Sequence, residues 1–422
     1  MMRRMSDPRG QEPYVPATTV LPEITPKAVI LGIVLSAVLS GANAYLGLFA
    51  GLTVSASIPA AVISMGVLRL FREHNILENN IVQTAASAGE SLAAGVIFTM
   101  PALVILGRWT DFDYLQTTMI AGFGGLLGVL FTVPLRRALI VESDLKFPEG
   151  VATAEVLKVG ESHAGGVKYI AASGAVGALF KFGETGLKLW GGAVETARYV
   201  GGSIAYFGSN LSPALVAVGY IVGLNIAVLV VLGGALNWLV AIPILAAIEG
   251  VPEGVDAVGA AGMLWSTKTR YIGVGAMVVG GLWALVRLRA SLASGVRSSI
   301  EAYRKMRSGH QEEVDRTDRD TPFQWVAAAG AASIVPLYLI FRTFIGVEAV
   351  SLTMAVIMLV AGFMFSAVAG YMAGLVGSSN NPISGVTIAT ILTASLLLLW
   401  MLGSESAAGP VAAIFVGAVV CC

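Results

Sequence analysis

The sequence predicts an all-α, polytopic membrane protein, on three observations: its composition, the length of its apolar runs and the placement of its charges. Of 422 residues, 56% are hydrophobic and 12% are charged, against about 25% charged in an ordinary soluble domain. Water is a poor solvent for such a surface. The 50 glycines sit inside apolar runs such as Ile120–Leu130 and Tyr271–Leu285, where small residues let helices approach closely. A net charge of zero excludes the electrostatic basis for a nucleic-acid partner. Cys421 and Cys422 are adjacent, a spacing that builds neither a disulfide framework nor a zinc site. The proline-dotted polar stretch before residue 28 does not read as a cleavable signal peptide.

A crossing helix needs about 20 mostly apolar residues. Such stretches fall at 28–48, 52–71, 83–107, 117–135, 168–186, 210–231, 233–248, 270–288, 323–345, 349–376, 385–403 and 409–422, about 12 spans with the last one cut short. Lysine and arginine in short loops mark the cytoplasmic side. Arg3, Arg4, Arg9 and Lys27 put the N-terminus inside, and alternation then keeps Arg69, Arg72, Arg136, Arg137 and Lys146 inside with Asp111, Asp113, Glu249, Glu253 and Asp256 outside. The organisation expected is a cytoplasmic arm over 1–27, a first transmembrane bundle of about eight spans over 28–288, a charged cytoplasmic loop over 289–321 and a second bundle over 322–422. The number of crossings in 187–248 is open by two, and the apolar run that ends at Cys422 suggests further spans beyond it.

Ionisable groups inside a span cost about 2.5 to 3.5 kcal/mol each, so they usually face a cavity or a partner. Glu90 lies near the middle of the third span, on a stripe with Gln83, Ser87, Ser91 and Ala94. It reads either as a proton-binding carboxylate beside a substrate path or as a hydrogen-bonded tie between helices. The first span carries Ser36, Ser40, Asn43 and Gly47 on one side, with Asn43 as a substrate contact or as interhelical glue. Phe147–Lys158 is too charged to cross alone. Its alternatives are a re-entrant element and a cytoplasmic amphipathic helix, and Glu155 and Lys158 stand three apart, at pairing distance. Lys181 and Glu184 are a second such pair. Ser378–Gly385, with Ser378, Asn380, Asn381 and Pro382, interrupts two apolar helices, as broken helices in transporters do. Tyr45–Gly51 and Tyr371–Gly377 resemble each other and hint at an inverted repeat. His74, His163 and His310 are scattered, and neither a catalytic or metal-binding motif nor a nucleotide-binding one is present. No enzyme activity and no cofactor is therefore expected.

Several stretches together resemble the oligopeptide transporter (OPT) family, in its prokaryotic and yellow-stripe-like branches. They are Leu21–Ala28, Ser40–Val54, Asn75–Thr84 with Ser87–Glu90, Phe147–Gly150 and Ser378–Pro382. The resemblance implies proton-coupled symport of small peptides or metal–chelator complexes across a bacterial or archaeal cytoplasmic membrane. Position in and between the spans makes Glu90 the candidate for proton coupling, with Asn43, Tyr45, Gln83, Ser87, Glu149, Glu155, Lys158, Ser378, Asn380, Asn381 and Pro382 as candidates for the substrate or ion path. Ile383 stands where eukaryotic peptide carriers have the glycine of an Asn-Pro-Gly motif, a departure that bears on peptide substrates. The partners expected are the substrate, protons and the lipid bilayer, with a homo-oligomer open. A passive channel and, last, a membrane-embedded enzyme are the alternatives.

Overall fold

The computed structural model describes residues 13–422 except 51–52, 54, 142, 144, 163–164, 223, 251–253, 278, 281–282, 284–285, 287–315, 379–380 and 382. Its helices are α1 (Pro26–Ala50), α2 (Ser57–Leu68), α3 (Ile76–Thr99), α4 (Pro101–Ile105), α5 (Tyr114–Arg136), α6 (Pro148–Ser162), α7 (Gly165–Lys181), α8 (Pro213–Val222), α9 (Leu224–Ala235), α10 (Ile242–Glu249) and α11 (Ala257–Leu264). After the charged loop come α12 (Phe323–Ala332), α13 (Ile334–Ile345), α14 (Glu348–Val376), α15 (Ile383–Leu402) and α16 (Ala408–Cys421). Asn380 and Pro382 of the Ser378–Gly385 interruption lie outside the described residues, as do most of the charged loop and Arg3, Arg4 and Arg9 of the arm.

Among the described residues, seven helices are long and apolar enough to cross a bilayer, so the chain is a multi-pass helical membrane protein as its composition requires. Six of them coincide with the stretches 28–48, 83–107, 117–135, 323–345, 349–376 and 385–403. The others differ in instructive ways. The stretch 52–71 holds only the 12 residues of α2, about 18 Å of helix where about 30 Å of hydrocarbon must be crossed. Pro59 is the reason: its ring clashes with the carbonyl four residues back, so the helix cannot extend back through Ser55. The break expected near residue 232 is absent, because α9 continues through a π segment, Leu236–Ala241, into α10. Gly233 and Gly234 lie inside α9, since a glycine within a helix costs only about 1 kcal/mol relative to alanine. The last stretch forms the 14-residue α16, and its Ala412–Val419 run is buried.

Packing divides the chain into two compact units. The unit formed by 165–279 contains an element that hydrophobic periodicity did not suggest, an antiparallel hairpin of β1 (Ala193–Val200) and β2 (Ser203–Asn210). Its turn uses Gly201 and Gly202, both at positive φ. Ile204 of the hairpin joins Ile242, Ala246, Ala260, Ala261 and Leu264 in that unit's core. Tyr206 stacks on Trp238 and Trp238 on Trp265, with centroids 4.3 and 6.2 Å apart. The expected Lys181–Glu184 pair forms at 2.8 Å.

The other unit, 1–164 with 280–422, has α16 at its centre: Phe415 is fully buried and packs with Phe344 and Trp109. Its most extensive helix contact is the parallel pair α1 and α3. Three glycines make the approach possible. A Cβ on Gly32 would lie 2.9 Å from Ala85 Cβ, one on Gly47 would lie 2.8 Å from Ile97 Cδ1, and one on Gly89 would lie 1.7 Å from Ser36 Oγ. Gly89→Val is therefore expected to lower stability by about 1–3 kcal/mol through overpacking. Gly41→Ala on the open side of α1, where a Cβ meets nothing within 4 Å, should leave Tm nearly unchanged when the two variants are compared by thermal unfolding in detergent.

Candidate functional site

The site is organised by the start of α3. Asn75 caps the helix, accepting from the Leu77 and Glu78 N–H groups at 2.8 and 3.1 Å. Glu78 reaches back to the Asn75 N–H at 3.3 Å, which completes a capping box. Buried Glu78 also accepts from Thr25 Oγ1 at 2.6 Å and pairs with Lys27 Nζ at 3.1 Å. The first turns of α1 and α3 are thereby fixed together. The arm before α1 is held as well, Asn75 Nδ2 donating to the Pro22 carbonyl at 2.9 Å.

Further along the same seam, Asn43 Nδ2 donates to Glu90 Oε1, and both residues are buried. The Ala56 backbone hydrogen-bonds the same carboxylate. Glu90 therefore sits beside the N-terminus of the half-length helix α2, whose dipole favours a negative charge. One residue on, Ser57 Oγ donates to Ser87 Oγ at 2.9 Å.

On the other side of that serine pair is a cleft of about 650 Å³ between α3 and α6. Asn80, Gln83, Thr84, Ser87 and Ser91 of α3 line one wall, Gly150, Thr153, Ala154, Leu157 and Lys158 of α6 the other, with Ser57 and the arm residues Tyr14 and Val15 also in contact. The Gln83 amide donates to Asn80 Oδ1 at 2.9 Å and to Thr84 Oγ1 at 3.1 Å. Lys158 Nζ pairs with Glu155 Oε1 at 2.8 Å and lies 5.8 Å from the centroid of the Tyr14 ring. Tyr14 OH donates to Glu161 Oε2 at 2.8 Å, and that bond and the Glu161 charge push the phenol above its ordinary value, so its proton is retained at neutral pH.

The wall α6 is held at both ends. At its start the Phe147 N–H donates to the Gly374 carbonyl at 2.9 Å and Ser378 Oγ donates to Glu149. Gly377, at φ 92°, has the Glu149 carboxylate 2.6 Å from where a Cβ would stand, so no other residue fits there unshifted. At its end Arg69 Nη2 donates to the Gly160 carbonyl at 2.6 Å and Met65 packs on Gly160.

The predicted stripe on α3 thus splits. Gln83, Ser87 and Ser91 face the cleft, while Glu90 and Ala94 are turned to the buried side. Asn43 reaches Glu90 rather than the cleft, Tyr45 is exposed and stacks on Phe49 with centroids 6.0 Å apart, and Glu155 is exposed outside the lining. Asn381 is fixed by its amide to the Ala369 carbonyl at 3.2 Å. Asn80, Thr84 and Tyr14 were not singled out from the sequence. The polar recurrence at 80, 83, 84, 87 and 91 carried the signal for the first two, and Asn75-x-x-Glu78 carried it for the cap.

A profile of the OPT oligopeptide transporter proteins matches residues 23–422. The chain belongs to the OPT family. It is 38% identical over 365 residues to a putative oligopeptide transporter of Haemophilus influenzae, an alignment that covers 84% of this chain and 57% of that protein. A metal-nicotianamine transporter of Arabidopsis thaliana is 30% identical over 154 residues, covering 31% of this chain and 23% of that protein. The chain thus spans little more than half the length of the first relative. No solved structure matches it. The segment from the cap at Asn75 to Glu90 lies within the matched region.

Glu78→Ala removes the acceptor of Thr25, Lys27 and the Asn75 N–H together and is expected to cost about 2–4 kcal/mol, while Glu78→Gln, which keeps the shape, should cost about half as much. Thermal unfolding of the purified variants in detergent measures both.

Proposed function

We propose that this OPT-family protein is a proton-coupled symporter of small peptides or metal chelates, that substrate occupies the cleft between α3 and α6, and that Glu90 carries the coupling proton. One observation carries the reading: Gln83, Ser87 and Lys158 converge on a single cleft, and the buried Asn43–Glu90 pair lies directly behind its Ser57–Ser87 edge. Charged Glu90 is attracted by the α2 N-terminus and by the Asn43 amide. Protonation removes that attraction, and α2, which contributes Ser57 to the cleft, is then less tightly held. A half-length helix with its N-terminus at a carboxylate has the form of the discontinuous helices around which secondary transporters are built. The two substrate classes are those after which the relatives are named, one an oligopeptide and one a metal-nicotianamine transporter.

The arm over 1–27 and the loop over 289–321 are cytoplasmic in this reading, between bundles over 28–288 and 322–422. In support, Glu23 of the arm pairs with Arg316 at 3.1 Å and Arg136 with Asp320 at 2.7 Å, which gathers three basic segments on one side.

Uptake into proteoliposomes containing the full-length protein should respond to an imposed proton gradient. Glu90→Gln should reduce gradient-driven uptake at least tenfold and leave counterflow exchange largely intact. Uptake indifferent to pH and potential would instead indicate a passive pore, and equal driven uptake by parent and variant would remove Glu90 from the coupling step.

A further inference from the structure

We infer that the Lys158 ammonium is the subsite for a substrate carboxylate, and that the cleft takes a small amide-bearing acid such as the free C-terminal end of a short peptide. The inference rests on the cleft being the substrate site. Lys158 is the one charged side chain among the described residues that line the cleft, and no carboxylate is among them. Asn80, Gln83, Thr84, Ser87 and Thr153 contribute only neutral donors and acceptors. Primary amides and hydroxyls both donate and accept, as the N–H and C=O groups of a peptide require. The lining therefore carries a net positive charge at one end and neutral hydrogen-bonding groups along the rest. This favours an elongated ligand with one anionic terminus and disfavours a cationic one.

Lys158 is positioned for that role by Tyr14 at the edge of the cleft and by two carboxylates outside it. Its ammonium is bonded to Glu155, three residues back on α6 and 60% exposed, and lies over the Tyr14 ring. Tyr14 is in turn tied to Glu161. Exposed ion pairs of this spacing are weak, so a ligand carboxylate buried in the cleft displaces Glu155 at little cost and gains a charge-assisted hydrogen bond. Glu155 then acts as an internal stand-in for the ligand's carboxylate, and Tyr14 keeps the ammonium at the end of the cleft through a cation–π contact.

The test compares a library of di- and tripeptides bearing free C-termini with the same library C-terminally amidated, by ligand-induced thermal stabilisation of the full-length protein in detergent. The parent should bind the free acids roughly tenfold to a hundredfold more tightly than the amides, the range of one charge-assisted bond. Lys158→Gln should reduce that preference to within about twofold, and Glu155→Gln should strengthen acid binding severalfold. Ser87→Trp, which fills the cleft, should abolish binding of both libraries. Equal binding of acids and amides by the parent, or stabilisation by neither, overturns the carboxylate assignment, as does an acid preference that survives Lys158→Gln. Binding that persists in Ser87→Trp moves the ligand elsewhere and overturns the cleft reading itself, which separates the two failures.

Discussion

The close parallel seam between α1 and α3 is the constraint on which the rest of the candidate site depends. In a bilayer the hydrophobic effect gives no drive for two apolar helices to meet, so contact must come from surfaces that fit and from hydrogen bonds. Gly32, Gly47 and Gly89 supply the fit. Glu78 at the start of the seam and Glu90 within it supply the hydrogen bonds. Because the seam is tight on one side of α3, the polar residues on the other side are left facing the cleft. Moving α1 outward would unpair Asn43 and Glu90 and tilt the wall that carries Gln83 and Ser87.

The class of fold was legible in the sequence because it follows from the solvent. Long apolar runs must become helices where no water is present to satisfy the backbone, and six of the expected stretches became such helices. Failure came where a local rule overrode run length. Pro59 shortened α2, Gly233 and Gly234 did not interrupt α9, and a strand pair formed over 193–210 where only a connection was expected. The candidate site was partly legible for a similar reason. Polar side chains in apolar helices stand out, so Glu90, Gln83, Ser87 and Lys158 were found. Residue spacing alone places Gln83 and Glu90 on one stripe, yet only the tertiary packing decides that one meets the cleft and the other meets Asn43. Tyr14 had no signal at all, since its place depends on a contact 147 residues away.

The half-length α2 gives the site an economy of parts. Its first residues serve two sides at once, Ala56 toward the Glu90 carboxylate and Ser57 toward Ser87 and the cleft. A full-length helix would keep its N–H groups bonded to its own carbonyls at that depth and have none to present. The start forced on α2 by Pro59 is thus what brings the Ala56 backbone beside a carboxyl group inside the bundle.

The anchoring of α6 at its two ends has a mechanical consequence. A helix gripped at Phe147 and Glu149 by the end of α14, and at Gly160 by α2, behaves as a beam clamped at both supports. Neither swinging about one end nor sliding along its axis is open to it while those bonds hold. The width of the cleft is then set by where the two supports stand relative to α3, and any widening must be delivered as a displacement of α2 and α14 away from α3 rather than as motion of the wall alone.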